Sequence, residues 1–217
     1  MSRKLVIWGA SGHALVVADI LRLQGDYELV GFLDDLAPQR HGTEFDSLPI
    51  IGGRKQLNRL EELGVSHIII GFGNCAARLS MAALVREKGF SLATAIHPKA
   101  VLADDVRVAC GTVIAAGVVI NPRARIGENV IVNTAASIDH DCVIEDGAHL
   151  CPGTHLAGGV NIGRGAWIGI GAVVSDHLQI GANSIIGAGA VVTHDIPNNV
   201  VAYGVPAKVI RKINTND

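Results

Sequence analysis

One aliphatic residue recurs at every sixth position from Ile96 to Val192. All seventeen positions of this spacing carry Ile, Leu or Val, without an insertion or an exception. A helix would give a period of 3.6 and a half-buried strand a period of two, so neither accounts for the pattern. An internal repeat of six residues is typical of a parallel β-helix, whose short strands stack coil upon coil. The repeat therefore predicts a β-helical prism for this stretch.

A second, mostly small residue follows each aliphatic residue by four positions. These residues are Ala100, Val106, Thr112, Val118, Ala124, Val130, Ala136, Cys142, Ala148, Thr154, Val160, Ala166, Ala172, Leu178, Ser184 and Ala190. Positions two apart in a strand share a face, so the small residue and the next aliphatic residue should both point inward. The composition fits such a core, because 49% of the residues are hydrophobic but only 4% are aromatic.

The bulk properties exclude several classes of function. A formal net charge of -2 gives no sign of a nucleic-acid or acidic-membrane partner. The four cysteines form no CxxC pair, and Cys142 falls on the inward small register, which favours a buried thiol. We find neither a signal peptide nor an apolar run long enough to span a membrane, so we expect a cytoplasmic protein.

The chain before the repeat alternates between the two kinds of secondary structure. Apolar runs predict strands at 4–8, 29–33, 67–71 and 91–96, and helical spacing appears at 14–23, 53–63 and 74–88. Such alternation is typical of a small α/β domain with a parallel sheet. The period changes at His97-Pro98, which gives an α/β domain at residues 1–95 and a β-helix at residues 96–217.

Two motifs at predicted strand ends are candidates for ligand binding. Gly9-Ala-Ser-Gly12-His13 follows the first strand, where a Gly-rich loop and a helix N-terminus could bind a phosphate. The motif is GxxGH and not GxGxxG, so a purely structural turn is an equal alternative. Asp34 and Asp35 end the second strand and could accept hydrogen bonds from a ribose or base, or simply form a solvated turn.

Three consecutive ionisable residues, Asp139-His140-Asp141, interrupt the mostly apolar and small residues of the repeat. His140 lies two places after an inward aliphatic residue, which predicts a corner of the prism and a side chain pointing away from the core. Imidazole, with an ordinary pKa near 6.5, can accept or release a proton near neutral pH, which makes His140 a candidate base. An adjacent carboxylate can orient the ring. We expect Asp141 to be this partner, with Asp139 as the second choice.

The other histidines have simpler interpretations. His149 and His155 each precede an inward aliphatic residue and should face solvent or a neighbouring chain. We expect structural or surface roles for the remaining ones, which are His41, His67, His97, His177 and His194. No group of His and Cys residues has the spacing of a zinc site, so no metal is predicted.

The order of motifs resembles one family. WGASGHALV, GFLDD and IGFGN (residues 70–74), followed by an uninterrupted hexad domain, are similar to the hexapeptide-repeat acyltransferases. Within that family, the motifs resemble the branch of bacterial acetyltransferases that act on nucleotide-linked amino sugars and the related sialic acid O-acetyltransferases. The resemblance implies a left-handed parallel β-helix, with three hexads per coil, that assembles as a homotrimer with sites between chains.

The resemblance also implies binding residues. In this family the N-terminal domain holds the nucleotide part of the sugar substrate. The corresponding residues would be Gly9, Ser11, Gly12 and His13 at the diphosphate and sugar, Asp34 and Asp35 at the base or ribose, and Gly73 and Asn74 at the pocket's edge.

Acetyl-CoA is the implied co-substrate. The resemblance places His149 near its thioester. Outward small residues would let the pantetheine arm lie close, and the G-x-P-A-K ending would approach the adenine and phosphates. The residues concerned are Gly158, Gly169, Gly187, Pro206, Lys208 and Arg211. A basic tail that only caps the prism is the alternative for the last three.

Three functions are therefore open. The first is N-acetylation of a 4-amino-4,6-dideoxy sugar linked to UDP or GDP, with His140 as general base. The second is O-acetylation of sialic acid or a similar free sugar. The third is a non-catalytic protein that binds nucleotide sugars and uses the prism for assembly.

Overall fold

A computed structural model describes residues 3–213 of the chain. These residues belong to two compact units, Met1–Pro98 and Lys99–Asp217. The sequence predicts a nucleotide-sugar-binding domain at residues 1–95 and an acetyltransferase domain from residue 96 onward. This division by function stays a prediction.

The first unit is a small α/β domain. Its strands are β1 (Arg3–Trp8), β2 (Tyr27–Leu33), β3 (Glu44–Phe45), β4 (Leu48–Gly52), β5 (Val65–Ile70), β6 (Ser91–Leu92) and β7 (Ala95–Ile96). Its helices are α1 (Gly12–Gln24), α2 (Leu57–Glu62) and α3 (Cys75–Glu87), with 3₁₀ turns at Pro38–Arg40 and Arg54–Gln56. Six strands form one sheet in the order β3-β4-β2-β1-β5-β6, parallel except for the β3–β4 pair. The predicted parallel sheet is confirmed.

Two sequence-based expectations for this unit are wrong in detail, and one strand pair was missed. Residues 53–63 form a 3₁₀ turn and then the short α2, and residues 91–96 form two short strands. The β3–β4 pair was not predicted at all. Pro49 and the turn at Asp46-Ser47, where both residues have positive φ, interrupt any apolar period there.

Within the described residues of the second unit there are sixteen two-residue strands, one per hexad. They are β8 (Val101–Leu102), β9 (Arg107–Val108), β10 (Val113–Ile114), β11 (Val119–Ile120), β12 (Arg125–Ile126), β13 (Ile131–Val132), β14 (Ser137–Ile138), β15 (Val143–Ile144), β16 (His149–Leu150), β17 (His155–Leu156), β18 (Asn161–Ile162), β19 (Trp167–Ile168), β20 (Val173–Val174), β21 (Gln179–Ile180), β22 (Ile185–Ile186) and β23 (Val191–Val192). A hairpin follows, made of β24 (Val200–Gly204) and β25 (Ala207–Lys212).

Each strand pairs in parallel with the strand three hexads away. Val119 pairs with Ser137 and Arg125 with Val143, for example, so one coil contains three hexads. The sheets run β25-β24-β22-β19-β16-β13-β10, β23-β20-β17-β14-β11-β8 and β21-β18-β15-β12-β9. These three faces are the sides of a triangular prism, which confirms the β-helix predicted from the repeat and the three hexads per coil that the family resemblance implies.

The inward register is also confirmed. The second residue of each strand from Ile114 to Val192 is at most 3% exposed, and small residues such as Ala124, Ala148 and Ala172 are fully buried. Leu102 and Val108 are partly exposed because they belong to the first coil. Cys142 is a buried free thiol, and its burial raises its pKa.

A left-handed residue recurs at every sixth position along the corners. The φ angle is positive at Gly111, Gly117, Arg123, Asn129, Ala135, Asp141, Gly147, Gly153, Gly159, Gly165, Gly171, His177, Asn183 and Gly189. Gly and Asn predominate because they tolerate this conformation best. Asp141 takes it with φ of 60°, so the turn that carries His140 has the geometry of every other corner.

Candidate active site

His140 lies at a corner of the prism, in the turn between β14 and β15, with its side chain 52% exposed. Its Nδ1 is 2.7 Å from Oδ2 of Asp141. Arg123 donates to the same carboxylate, and together with the His140 bond this lowers the pKa of Asp141. An ionised carboxylate can only accept, so Nδ1 of the neutral ring carries the proton and Nε2 has a free lone pair. The ring is thus set up as a base at Nε2.

Asp139 has a different part in this turn. Its Oδ1 accepts the backbone N–H of His140 at 2.7 Å and the side-chain amide of Asn121, also at 2.7 Å. The Asn121 bond, followed by the backbone bond, lowers the pKa of Asp139. The carboxylate therefore fixes the backbone of the turn, whereas Asp141 contacts the imidazole ring.

Gly158 lies directly against the His140 ring. A Cβ atom at this position would be 2.7 Å from Cε1 and 2.8 Å from Nε2 of His140. Gly158 stands one coil after His140, so the lack of a side chain leaves room for the imidazole to lie across that coil. Gly158, which was predicted to bind the cofactor, therefore lies beside His140, the candidate base.

His149 is not exposed, contrary to the sequence-based expectation. Only 5% of the residue is accessible, because Trp167, one coil later, covers the ring with the two centroids 4.3 Å apart. Nε2 is 3.4 Å from the side-chain amide of Asn133. The outward position of a strand is buried here because an indole lies above it.

A groove of about 370 Å³ runs along this face of the prism. The lining residues are Asn133, His149, Cys151, Pro152, Trp167, Gly169, Ile170, Ile185, Ile186, Gly187 and Ala188. Gly169 and Gly187 have no space for a side chain, since a Cβ would be 2.6 Å from Ala188 N and from Tyr203 Cβ, respectively. Three predicted cofactor residues, His149, Gly169 and Gly187, therefore line one groove, and Gly158 is not among its lining residues.

The C-terminal residues of the prediction lie on the β24–β25 hairpin. Pro206 is in its turn and Lys208 and Arg211 are on β25, all three exposed. Lys208 pairs with Tyr203, whose Cβ packs on Gly187 of the groove. The hairpin thus continues the surface of the groove with cationic side chains.

The first unit contains a cavity of about 550 Å³ at the carboxyl ends of β1 and β2. Its lining residues are Trp8, Gly9, Ala10, Ser11, Leu33, Asp34, Asp35, Leu36, Ala37, Arg40, Arg54, Phe72, Asn74, Ala77 and Met81. Five predicted residues are among them: Gly9, Ser11, Asp34, Asp35 and Asn74. Ser11 and Asn74 are the N-caps of α1 and α3, so two helix N-termini border the cavity, an arrangement that favours an anion.

Asp34 and Asp35 have structural contacts of their own. Asp34 accepts backbone N–H groups of Leu36 and Ala37 at 2.9 and 3.2 Å and lies 3.4 Å from Arg40. Asp35 accepts the indole N–H of Trp8 at 3.2 Å and the backbone N–H of Arg54 at 2.7 Å. These bonds hold the loop that forms one wall of the cavity.

Sequence reasoning missed the cations of this cavity. Arg40 and Arg54 are 37% and 57% exposed at their side chains and line it beside the two aspartates. Aromatic rings of Trp8 and Phe72 line it as well. Arg40 and Arg54 lie in the loops that follow β2 and β4, which are neighbouring strands of the sheet. This position at the carboxyl ends of adjacent strands is the signal that could have identified them.

Gly12, His13 and Gly73 are close to this cavity but are not among its lining residues. The carbonyl of Gly73 accepts a hydrogen bond from the buried guanidinium of Arg78. His13 is in the first turn of α1, where burial, followed by the charge of Arg78, lowers its pKa to about 4. His13 is thus neutral at neutral pH.

We expect His13 to make the fold sensitive to acid. Its pKa in the folded chain lies below the ordinary 6.5, so the unfolded chain binds the proton first. The stability from the neutral ring is present above pH 6.5 and is lost as the pH falls from 6.5 to about 4. Thermal unfolding midpoints across this range should fall less steeply in His13→Gln than in the wild type. A slope in His13→Gln equal to that of the wild type would contradict the assignment.

Neither a metal site nor a membrane helix is found in the part of the chain that the structure describes. Within residues 3–213 no three His, Cys, Asp or Glu side chains converge on a possible metal position. No helix in this range has the length and apolar character needed to cross a membrane.

Two family models match the chain. The PglD N-terminal domain matches residues 4–85, and the bacterial transferase hexapeptide (six repeats) matches residues 159–194. A curated relative, the galactoside O-acetyltransferase of Escherichia coli (strain K12), is 55% identical over 45 residues. That match spans 21% of this chain and 22% of the relative's length.

Solved structures match nearly the whole chain. PerB from Caulobacter crescentus, in complex with CoA and GDP-perosamine, is 40% identical over 96% of this chain and 97% of its own, with a TM-score of 0.89. The acetyltransferase domain of PglB from Neisseria gonorrhoeae FA1090, in complex with acetyl coenzyme A, is 36% identical over 97% of this chain and 100% of its own, with a TM-score of 0.90. These likenesses confirm the left-handed sense of the β-helix that the sequence resemblance implied.

Proposed function

Because the chain belongs to the bacterial hexapeptide-repeat acetyltransferases that carry a PglD N-terminal domain, we propose that it N-acetylates a nucleotide-linked amino sugar. The acetyl donor is acetyl-CoA, and the acceptor is the amino group of a 4-amino-4,6-dideoxy sugar. The observation that carries the proposal is the Asp141-bound imidazole of His140, whose Nε2 is available as a base. A binding protein without catalysis would have no need of this arrangement.

His140 acts as the general base in this proposal. As the sugar nitrogen attacks the thioester carbonyl, it must release a proton, and Nε2 of His140 accepts it. Asp141 stabilises the imidazolium that forms, while Asp139 keeps the turn in place. The C–S bond of the thioester then breaks and CoA leaves as its thiolate, so acetyl transfer is direct and no cysteine is required as an acyl carrier. Cys142 agrees with this, because it is buried and its pKa is raised.

The groove beside His149 is the candidate site for acetyl-CoA. Its glycines place no side chain over the coils, which suits an extended pantetheine arm, and the buried His149 and the half-buried Asn133 offer polar atoms to the thioester end. Lys208 and Arg211 supply positive charge for the phosphates. PerB and the PglB domain are both described with CoA or acetyl-CoA bound, which supports this part of the proposal.

The nucleotide part of the acceptor occupies the cavity of the first unit. A volume of about 550 Å³ is within the range for small-molecule sites. The N-termini of α1 and α3, with Arg40 and Arg54, suit a diphosphate, and the partly exposed ring of Phe72 can stack on a base. PerB is described with GDP-perosamine, so we place GDP first among the nucleotides to test.

We also propose that the active form of the protein is a homotrimer, as the family resemblance implies.

The experiment is a thiol-release assay with acetyl-CoA and amino sugars linked to GDP, UDP or dTDP, with mass spectrometry of the product. We expect one nucleotide sugar to gain a single acetyl group on nitrogen. Free sialic acid is the second acceptor class to include. Acetylation of its hydroxyl groups, with no reaction of any nucleotide-linked amine, would replace the proposal by O-acetylation.

A further inference from the structure

Arg123 and Asp141 occupy the same position in successive coils. They are one coil apart, and both take the left-handed corner conformation, with φ of 64° and 60°. Identical backbone geometry in successive coils makes their side chains leave the prism in the same direction, one above the other. Strands of neighbouring coils are about 4.8 Å apart, so the two side chains are within direct reach of each other.

The guanidinium of Arg123 binds both oxygens of Asp141. Nε is 2.6 Å from Oδ1, and Nη2 donates to Oδ2 at 2.8 Å. Oδ2 is also the atom that accepts from Nδ1 of His140. The backbone N–H of Arg123 in turn donates to Oδ1 of Asp105 at 3.0 Å. The guanidinium thus fixes the Asp141 carboxylate that orients the His140 ring. The hydrogen bond to Asp105 in turn fixes the backbone of Arg123 to the coil before it.

Few other charged groups near His140 could orient its ring or hold the Asp141 carboxylate in place. Asp139 is engaged with the backbone N–H of His140 and with Asn121. The next coil presents Gly158 and Gly159, which have no side chains, and the ring of His177 packs against Gly159. Since the Asp141 side chain is 41% exposed, water would compete for its oxygens if the guanidinium were absent.

We propose that Arg123 is a positioning residue for acetyl transfer: its guanidinium holds the Asp141 carboxylate against Nδ1 of His140, so that Nε2 faces the substrate amine unprotonated. The inference rests on the proposed function. Arg123 acts through Asp141, without contact to either substrate. Lys could not replace it fully, because a single ammonium group cannot bind both carboxylate oxygens in the same plane.

The kinetic test is a double-mutant cycle of Arg123→Gln and Asp141→Asn. We expect Arg123→Gln to lower kcat by about fivefold, close to the most that an exposed ion pair usually contributes, with KM unchanged for both substrates. In the Asp141→Asn background the same change should have no further effect. Arg164→Gln is the matched control, because it breaks another exposed Arg–Asp pair of one-coil spacing, 2.9 Å long, that contacts no histidine. An equal loss in both backgrounds, a loss in KM alone or unchanged kcat would each overturn the proposal.

A second readout does not depend on catalysis. The ¹⁵N shifts of the His140 ring, identified by comparison with His140→Asn, report which nitrogen carries the proton. We expect the Nδ1–H form in the wild type and in Arg164→Gln, and a mixture with the Nε2–H form in Arg123→Gln. If no acetyl transfer is found at all, the proposed function fails, but the spectra still test Arg123. An unchanged Nδ1–H form in Arg123→Gln would refute the positioning role by itself.

Discussion

Replacing His140 by Ala should lower kcat for acetyl transfer by about 100- to 10,000-fold, the usual contribution of a positioned general base. The ring is more than half exposed and hydrogen-bonds through Nδ1 to Asp141 on the surface, so the fold should tolerate the change. KM for acetyl-CoA and for the sugar nucleotide should stay near the wild-type values, since the groove and the cavity of the first unit do not include His140. Steady-state thiol release at saturating substrate measures kcat, and titration of each substrate measures KM.

His194→Ala is the matched control for this variant. His194 is also exposed, but its Nδ1 contacts the hydroxyl of Thr193 and no carboxylate. Its replacement should leave kcat within about twofold of the wild type, which is the scatter expected for a surface change. Full activity in His140→Ala would remove His140 from the mechanism. An equal loss in both variants would indicate damage to the prism instead.

Gly158→Ala should reduce kcat by about 100-fold, the lower end of what a general base contributes, because the new methyl group would displace the ring of His140. The added Cβ would be 2.7 Å from Cε1 of His140, closer than two carbon atoms can approach. The ring is at the exposed corner and can swing away, so the strain should displace the base without unfolding the chain. The backbone of Gly158 does not have a positive φ, and therefore Ala is compatible with it.

Gly117→Ala separates this effect from the general cost of the substitution. Gly117 is a corner residue with φ of 71°, and its nearest neighbour would be 3.8 Å from the new Cβ. Gly117→Ala should lose stability, because the left-handed conformation disfavours Ala, but keep its kcat. Gly158→Ala should show the opposite, with a melting temperature near that of the wild type and low activity. A wild-type kcat in Gly158→Ala would mean that the ring does not have to lie against this coil during catalysis.

The prism could be predicted in detail because its geometry is periodic. Once the hexads are counted, the inward positions and the corners follow, and Ile138 alone fixes the corner that carries His140. The pairing of side chains between coils needed a further step. Asn121 with Asp139, Arg123 with Asp141 and Ser137 with His155 all stand one coil apart, so a search at a spacing of three hexads would have found them.

The error at His149 has the same origin. Its outward position was correctly inferred from the hexads, but exposure depends on the residue that lies above, and that residue is Trp167. A large ring one coil away covers a side chain that a single strand would leave in water. Exposure in a stacked fold is therefore a joint property of the residues at equivalent positions in successive coils.

The cavity of the first unit was the least predictable part. Its glycine turn and its two aspartates could be read from the sequence, because strand ends are common ligand sites. Arg40 and Arg54 lie in loops without any period, and only the folded loop brings them beside Asp34 and Asp35. Here tertiary structure places two positive charges in the cavity that no sequence pattern indicates.

The fixed coil of three hexads has a consequence for how such a chain can change in length. Losing or gaining one residue within the prism would turn every later inward side chain out of the core and move each later corner off its left-handed residue. A segment of one whole coil, in contrast, could be removed or duplicated with all later side chains keeping their faces. Between His140 and the C-terminal hairpin, each such step would alter the separation by about 4.8 Å. The length of the prism can therefore change only by whole coils, and the span available to an extended substrate changes in the same steps.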